Sequence, residues 1–228
     1  MSVTGSKSPV TQLVFADVDE TLIRPKSVLD FLEFYFAGRY GAEGARHARQ
    51  TLDELAAMME AGATRNDGNR FYYRAWRGQP AADVNAWGAR WFAERRAGGD
   101  FYVPATRAAL RRHVAEGAAV VLVSGSFSAL LDPIAVDIGA RHVRGTRPEI
   151  RDGLHTGAVI GTSVIGEGKR AVVRGLLRDY PHIRAADCYG YGDHVSDLPM
   201  LTEVGHPVVV GNNLRLLSAV PGAVMLRR

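Results

Sequence analysis

Residues 118–139 read AAVVLVSGSFSALLDPIAVDIG. The opening run is unbroken and apolar with several valines, which is the pattern of a strand covered on both faces. Ser124-Gly125-Ser126 interrupts it, and the apolar residues that follow take helical spacing as far as Gly139. The same alternation continues outward in both directions. ATRAALRRHVAEG (105–117) precedes the run as a helix, and a hairpin turning at Asp152-Gly153 follows it. Then come a helix, GKRAVVRGLLRDY (168–180), and a strand, DCYGYG (187–192), before a short helix, SDLPMLTEV (196–204), and a strand, PVVVG (207–211). Near the start, QLVFA (12–16) is another short strand ending at an acidic turn. Alternating strands and helices predict an α/β fold, a doubly wound parallel sheet. Such sheets bind ligands beyond the carboxyl ends of their strands, so the chemistry should lie there.

Residues 28–99 have a different rhythm. VLDFLEFYF, ARQTLDELAAMME, NRFYYRAWR and VNAWGARWFAERR are helical pieces, with Gly38, Gly41, Gly62, Gly68 and Gly78-Gln79-Pro80 as breakers between them. All three tryptophans, Trp76, Trp87 and Trp91, fall in this stretch. It reads as a helical cap inserted after the first strand, leaving residues 1–27 and 100–228 as the α/β core.

Composition narrows the function. The chain has 228 residues, a net charge of +4 and a pI near 9.4. Its basic residues are scattered rather than blocked, so no nucleic-acid partner is expected. The N-terminal stretch is polar, without the apolar segment of a signal peptide, and no run is long enough to span a membrane. The expectation is a soluble, cytoplasmic protein without a membrane partner. A single cysteine, Cys188, excludes an intrachain disulfide and a multi-cysteine metal site. Lysine is scarce: only Lys7, Lys26 and Lys169 occur. In an arginine-biased chain, a lysine can mark a place that needs a compact ammonium rather than a planar fork.

Four segments at strand ends carry reactive groups. Asp17-Val18-Asp19-Glu20-Thr21 offers two carboxylates that can divide labour as nucleophile and proton donor, provided a cation offsets their charge. An acidic turn is the ordinary alternative. Ser124-Gly125-Ser126 can cradle an oxyanion with a hydroxyl and free amides, or can simply cap a helix. Gly166-Glu167-Gly168-Lys169 can aim an ammonium at a phosphate, or leave it solvated. Asp193 and Asp197, in GDHVSD, can build an oxygen-rich magnesium site or serve as acids at a helix start. His194 reads as a loop histidine. Each segment alone is ambiguous; their order at successive strand ends is not.

Together, DVDET, the strand ending in SGS, the GEGK lysine and GDHVSD resemble the four motifs of the haloacid dehalogenase superfamily, from Val14 to about Val210. The helical insert, VIGEGK and SDLPMLTEVGHPV are similar to the phosphoserine phosphatase-like subfamily IB. The resemblance implies a magnesium-dependent phosphatase acting on a small-molecule phosphomonoester through an aspartyl-phosphate. It implies Asp17 as nucleophile and magnesium ligand, and Asp19 as acid/base with its carbonyl on the metal. Thr21 would steady the loop, and Ser124 with the Gly125 amide would hold phosphate. Lys169 would neutralise charge, Asp193 would ligate magnesium, and Asp197 would stand in its outer shell.

Departures from the family pattern concern the substrate. Lys26 stands where phosphoserine-specific members carry a glutamate, and Ser196 where they tend to have asparagine. Arg70, Arg74 and Arg77 give the cap helix a basic stripe near Phe71, Tyr72, Tyr73 and Trp76. Lys26, Arg74 and Ser196 are therefore candidate substrate contacts, and free phosphoserine is expected to be a poor substrate unless Glu20 or Glu33 replaces the missing acid. A phosphomutase or phosphotransferase, a phosphoserine phosphatase, and a phospho-accepting module without turnover remain the alternatives.

Overall fold

A computed structural model describes residues 10–228. Lys7 and most of the polar N-terminal stretch lie outside the described residues.

Six parallel strands form the main sheet: β1 (Leu13–Ala16), β2 (Ala119–Ser124), β3 (His142–Gly145), β6 (Tyr189–Gly192), β7 (His206–Val210) and β8 (Val224–Leu226), in the order β3-β2-β1-β6-β7-β8. Residues along each strand alternate between two apolar clusters. Val14, Ala16, Val120 and Leu122 enter one, while Leu13, Phe15, Val121 and Val123 enter the other. That period of two puts a hydrophobic layer on each sheet face, which is why these strands read as continuous apolar runs. On the second face lie α6 (Glu167–Asp179), α7 (Leu198–Leu201) and α8 (Leu214–Ala219), contributing Val173, Met200 and Leu216. On the first lie α4 (Pro104–Ala115) and α5 (Ser128–Ile138), contributing Leu110, Leu130 and Ile134.

Strand order reverses around β1: β2 and β3 lie to one side of it, β6 to β8 to the other. The amide of Asp17 donates to the Tyr191 carbonyl at 2.9 Å, carrying the β1–β6 ladder one residue past the strand. A crevice at such a reversal is where this sheet class places ligands.

Between β1 and β2 the chain forms α1 (Ser27–Glu60), α2 (Arg65–Arg74) and α3 (Ala81–Ala97). The glycines at 38 and 68 do not break helices as predicted. A Cβ at Gly38 would sit 2.4 Å from the Trp87 ring, and one at Gly68 2.8 Å from Met59 sulfur, so both serve close packing. Gly41, with φ of 62° and ψ of −141°, does leave helical geometry, so that α1 is two helices meeting at a kink there, as the breaker reading expects. Gly62 does follow a helix end, and Thr64 caps α2 through a reciprocal bond with Asp67.

These helices share the first apolar cluster with the sheet. Phe31 of α1 stacks on Trp76 at 5.2 Å, and Trp76 lies 5.8 Å from Phe127 at the start of α5. Gly88 of α3 approaches so closely that a Cβ would come within 2.2 Å of the Ala129 carbonyl oxygen. The predicted hairpin is present as β4 (Arg147–Arg151) and β5 (Leu154–Ile160), turning at Asp152 and Gly153 with positive φ. It ties down the α2–α3 connection: the Gly78 amide donates to the His155 carbonyl, and the His155 amide to Gln79. Among the described residues no helix is long and apolar enough to cross a membrane.

Candidate active site

The loop after β1 is a tight turn. The Val18 carbonyl accepts the amides of Thr21, Leu22 and Ile23, and Glu20 adopts φ of 60°. For a residue with a side chain that conformation costs roughly 1–2 kcal/mol. The turn leaves Asp17 buried and Asp19 half-buried beside it. Thr21, fully buried, points its hydroxyl at Asp193 Oδ1 (2.9 Å) and Asp17 Oδ2 (3.2 Å), joining the β1 loop to the β6 loop.

Lys169 crosses from α6. Its helix starts after Gly166, and a side chain at Gly168 would meet the Ser163 carbonyl at 2.1 Å, so the GxG spacing is needed for this approach. The ammonium is buried and donates to Asp17 Oδ1 at 2.5 Å and Asp197 Oδ1 at 2.7 Å. Burial would lower its affinity for the proton, but Asp17 and Asp197 outweigh that and hold it above the ordinary lysine range. Asp197 uses Oδ2 to accept the amides of Asp193 and His194, both at 3.0 Å. With both oxygens engaged, its carboxylate suits the outer-shell place rather than direct ligation.

Burial raises the Asp17 carboxyl against the opposing pull of Lys169. Asp19 is pushed up to about 6 by burial, with the Ser27 hydroxyl and amide working the other way. Asp19 Oδ1 is buried without a hydrogen-bond partner. Ser124, at the end of β2, accepts the Ser126 amide at 3.1 Å, which leaves its own hydroxyl hydrogen free to donate. Gly125 faces the cavity, and a Cβ there would strike Ile165 at 2.9 Å. Its carbonyl is held by Asn69 (3.0 Å) and the Tyr73 hydroxyl (3.1 Å) from α2.

The carboxylates of Asp17, Asp193 and Asp197 each bring an oxygen within 4.8 Å of the others. Hard oxygen donors, an orphaned Asp19 oxygen and more carboxylates than nearby cations make a set that fits a divalent ion such as magnesium.

One cavity of about 560 Å³ holds these groups: Asp17, Asp19, Ser124, Gly125, Lys169 and Asp193 all line it, as do Lys26 and Ser196. Arg74 does not. It is exposed on the far side of α2, where its backbone packs near Gly157. The lining face is Arg65, Asn69 and Tyr72, about 140° round the helix from the stripe formed by Arg70 and Arg74. Lys26 is paired with Glu20 at 3.5 Å, and Glu33 is exposed outside the cavity. Sequence reasoning missed Arg65 and Asn69: helical phase groups them with Tyr72 on one face, but only the packing of α2 shows that this face lines the cavity. It also missed Asn213, which donates to the Asp193 carbonyl at 3.0 Å, and Arg228, which reaches Asp193 Oδ2 at 2.7 Å. His194 uses Nδ1 to accept the Ser196 amide, a capping role in its own loop.

The model of the haloacid dehalogenase-like hydrolase family matches residues 14–202. The chain belongs to that family. Among its curated relatives, a probable phosphatase of Mycobacterium tuberculosis is 41% identical over 110 residues, an alignment covering 46% of this chain and 37% of that protein. The chain thus spans little more than a third of that relative's length. A phosphoserine phosphatase of the same organism is 31% identical over 220 residues, covering 92% of this chain and 68% of that protein. A solved structure of a Bordetella pertussis protein of unknown function superposes with a TM-score of 0.82 at 26% identity, covering 96% of this chain and 99% of that one. This family member therefore has both relatives named as phosphatases and a structural neighbour without an assigned activity.

Proposed function

We propose that this chain is a magnesium-dependent phosphomonoester hydrolase acting through an aspartyl-phosphate on Asp17. The observation that carries the reading is the buried Lys169 ammonium bridging Asp17 and Asp197 at 2.5 and 2.7 Å, in the same cavity as Ser124 and Asp19. The phosphatase names of two relatives support it. A cytoplasmic location and a helical cap over residues 28–99 belong to the same proposal.

In the first step an Asp17 oxygen attacks phosphorus and the bond from phosphorus to the ester oxygen breaks. Asp19, which holds its proton up to about pH 6, gives it to the departing oxygen. In the second step Asp19 takes a proton from water as that water attacks the phosphorus. The bond to Asp17 breaks and inorganic phosphate leaves. Lys169, the Ser124 hydroxyl and the Gly125 amide donate to the phosphoryl oxygens, already aligned before the reaction begins. Magnesium would be held by the carboxylates of Asp17 and Asp193 and the carbonyl of Asp19, and would supply the charge that lets an anionic nucleophile meet an anionic ester. Asp197 and Thr21 hold the groups around that site, and Arg228 is paired with Asp193 Oδ2 beside it.

Free phosphoserine remains a poor substrate in this reading, for a modified reason. Glu20 compensates Lys26, so repulsion is weaker than a lone lysine would give. Equally, apart from the catalytic aspartates Glu20 is the only acidic residue lining the cavity among the described residues, and it is already paired. A substrate ammonium would find no free carboxylate. Phosphoserine hydrolysis is the second reading, favoured by the 31%-identical relative of that name. The test is phosphate release from a panel of monoesters with magnesium, repeated in EDTA and with Asp17→Asn. Loss of turnover in both supports the reading; an active Asp17→Asn enzyme contradicts it.

A further inference from the structure

The catalytic groups share their cavity with an apolar wall from α1, where Leu52, Leu55 and Met59 recur at helical spacing and line the same space as Asp17. Val28 and Leu29, at the start of that helix, and Ile165, from the segment before Lys169, extend the apolar surface toward the catalytic aspartates. All six are only partly buried, and all six line the cavity. Gly68 keeps this wall open from the other side, since any side chain there would press on Met59 sulfur and the Leu55 methyl. The volume, about 560 Å³, lies within the roughly 300–1,000 Å³ of pockets that enclose drug-sized ligands.

A small polar alcohol would leave this wall facing water. Glu20 and Lys26 neutralise one another within the cavity, so they offer little net charge to a zwitterion. Arg65 is exposed and marks the solvent side of the lining.

We infer that the substrate is a phosphomonoester whose leaving alcohol carries a hydrocarbon body, an aliphatic chain or ring system, lying along Leu52, Leu55 and Met59 while its phosphate meets Asp17. The inference rests on the phosphomonoesterase reading above and adds the chemical class of the leaving group. Binding such a body removes apolar surface from water on both partners, and each buried methylene is worth about two- to fourfold in kcat/KM.

The experiment uses the magnesium-loaded protein and n-alkyl monophosphates from ethyl to octyl, kept below micelle-forming concentrations. Glycerol phosphate and phosphoserine are the polar comparators, and p-nitrophenyl phosphate is the activated reference. The expected result is a rise of about two- to fourfold per methylene, with octyl phosphate at least about a hundredfold above phosphoserine. In Met59→Gln and Leu55→Gln the octyl-to-ethyl ratio should fall about tenfold, a ratio that partial unfolding would leave unchanged. A flat or falling alkyl series beside good turnover of p-nitrophenyl phosphate overturns the inference and leaves the phosphatase reading standing. No phosphate from any ester overturns both.

Discussion

Lys169 is held by two carboxylates with different surroundings: Asp17, the nucleophile of the proposed mechanism, and Asp197, anchored by the backbone amides of Asp193 and His194. A point ammonium fits between them; a planar guanidinium is longer and would push Asp17 away from the phosphate. Lys169→Arg should therefore lower kcat by about a hundred- to a thousandfold, the scale of losing one preorganised charge donor. Steady-state kinetics on any good substrate checks this, and a near-parental variant would mean the bridge has no part in turnover. Asp19 permits a test that needs no substrate. Its carboxyl ordinarily titrates near 3.8 and in the fold near 6, so between those values the folded chain binds the proton more tightly than the unfolded one. Stability must then fall as pH rises through that window, because the folded state holds a charge it would rather neutralise. Other groups contribute to the pH dependence too, including the buried histidines His113 and His155, whose protonated forms burial disfavours, so the comparison is with Asp19→Asn. In chelator, urea unfolding should show the variant gaining on the parent from pH 4 to pH 7, by roughly 1–3 kcal/mol at the upper end. A margin that shrinks with pH would contradict the burial of this carboxyl.

At the scale of elements, the sheet, its direction and the four loops that meet at one cavity were legible because each rests on local pattern: continuous apolar runs, small-residue turns and acids at strand ends. The strands His142–Gly145 and Val224–Leu226 were not, since each is a short edge strand with too few residues to establish a period. Glycine misled in the helices. Gly38 and Gly68 looked like breakers, but each, like Gly88 of α3, is a contact where another element comes closer than a Cβ allows, which local sequence pattern does not show. Arg74 was misplaced for a related reason. Helical spacing shows which residues share a face but not which face meets the site; here the face with Arg65, Asn69 and Tyr72 does. Gly88→Ala tests the closest of these approaches. Its new methyl must displace α3 from the Ala129 carbonyl of α5, so overpacking should cost about 1–3 kcal/mol in urea unfolding. A neutral or stabilising alanine, as helix propensity alone would give, would show that α3 and α5 do not pack as described.

Across the whole molecule, charge is distributed against its own average. The chain carries a net charge of +4, yet Asp17, Asp19, Asp193 and Asp197 gather at the carboxyl end of β1 and β6, answered there by Lys169 and Arg228. A basic exterior favours the approach of anionic esters, while the acidic centre needs a cation before it can receive one. The aromatic cluster from Phe31 through Trp76 to Phe127 continues from the sheet into α1–α3, so the apolar wall and the catalytic loops rest on one body of packed side chains. The proposed mechanism puts a covalent phosphate on Asp17. Quenching the magnesium enzyme during turnover and reducing it with borohydride converts an aspartyl-phosphate to homoserine, which peptide mass spectrometry can locate. The account requires homoserine at position 17, appearing only with both substrate and magnesium and absent from Asp17→Asn. Homoserine at another aspartate, or steady phosphate release by the Asp17→Asn enzyme, would contradict it.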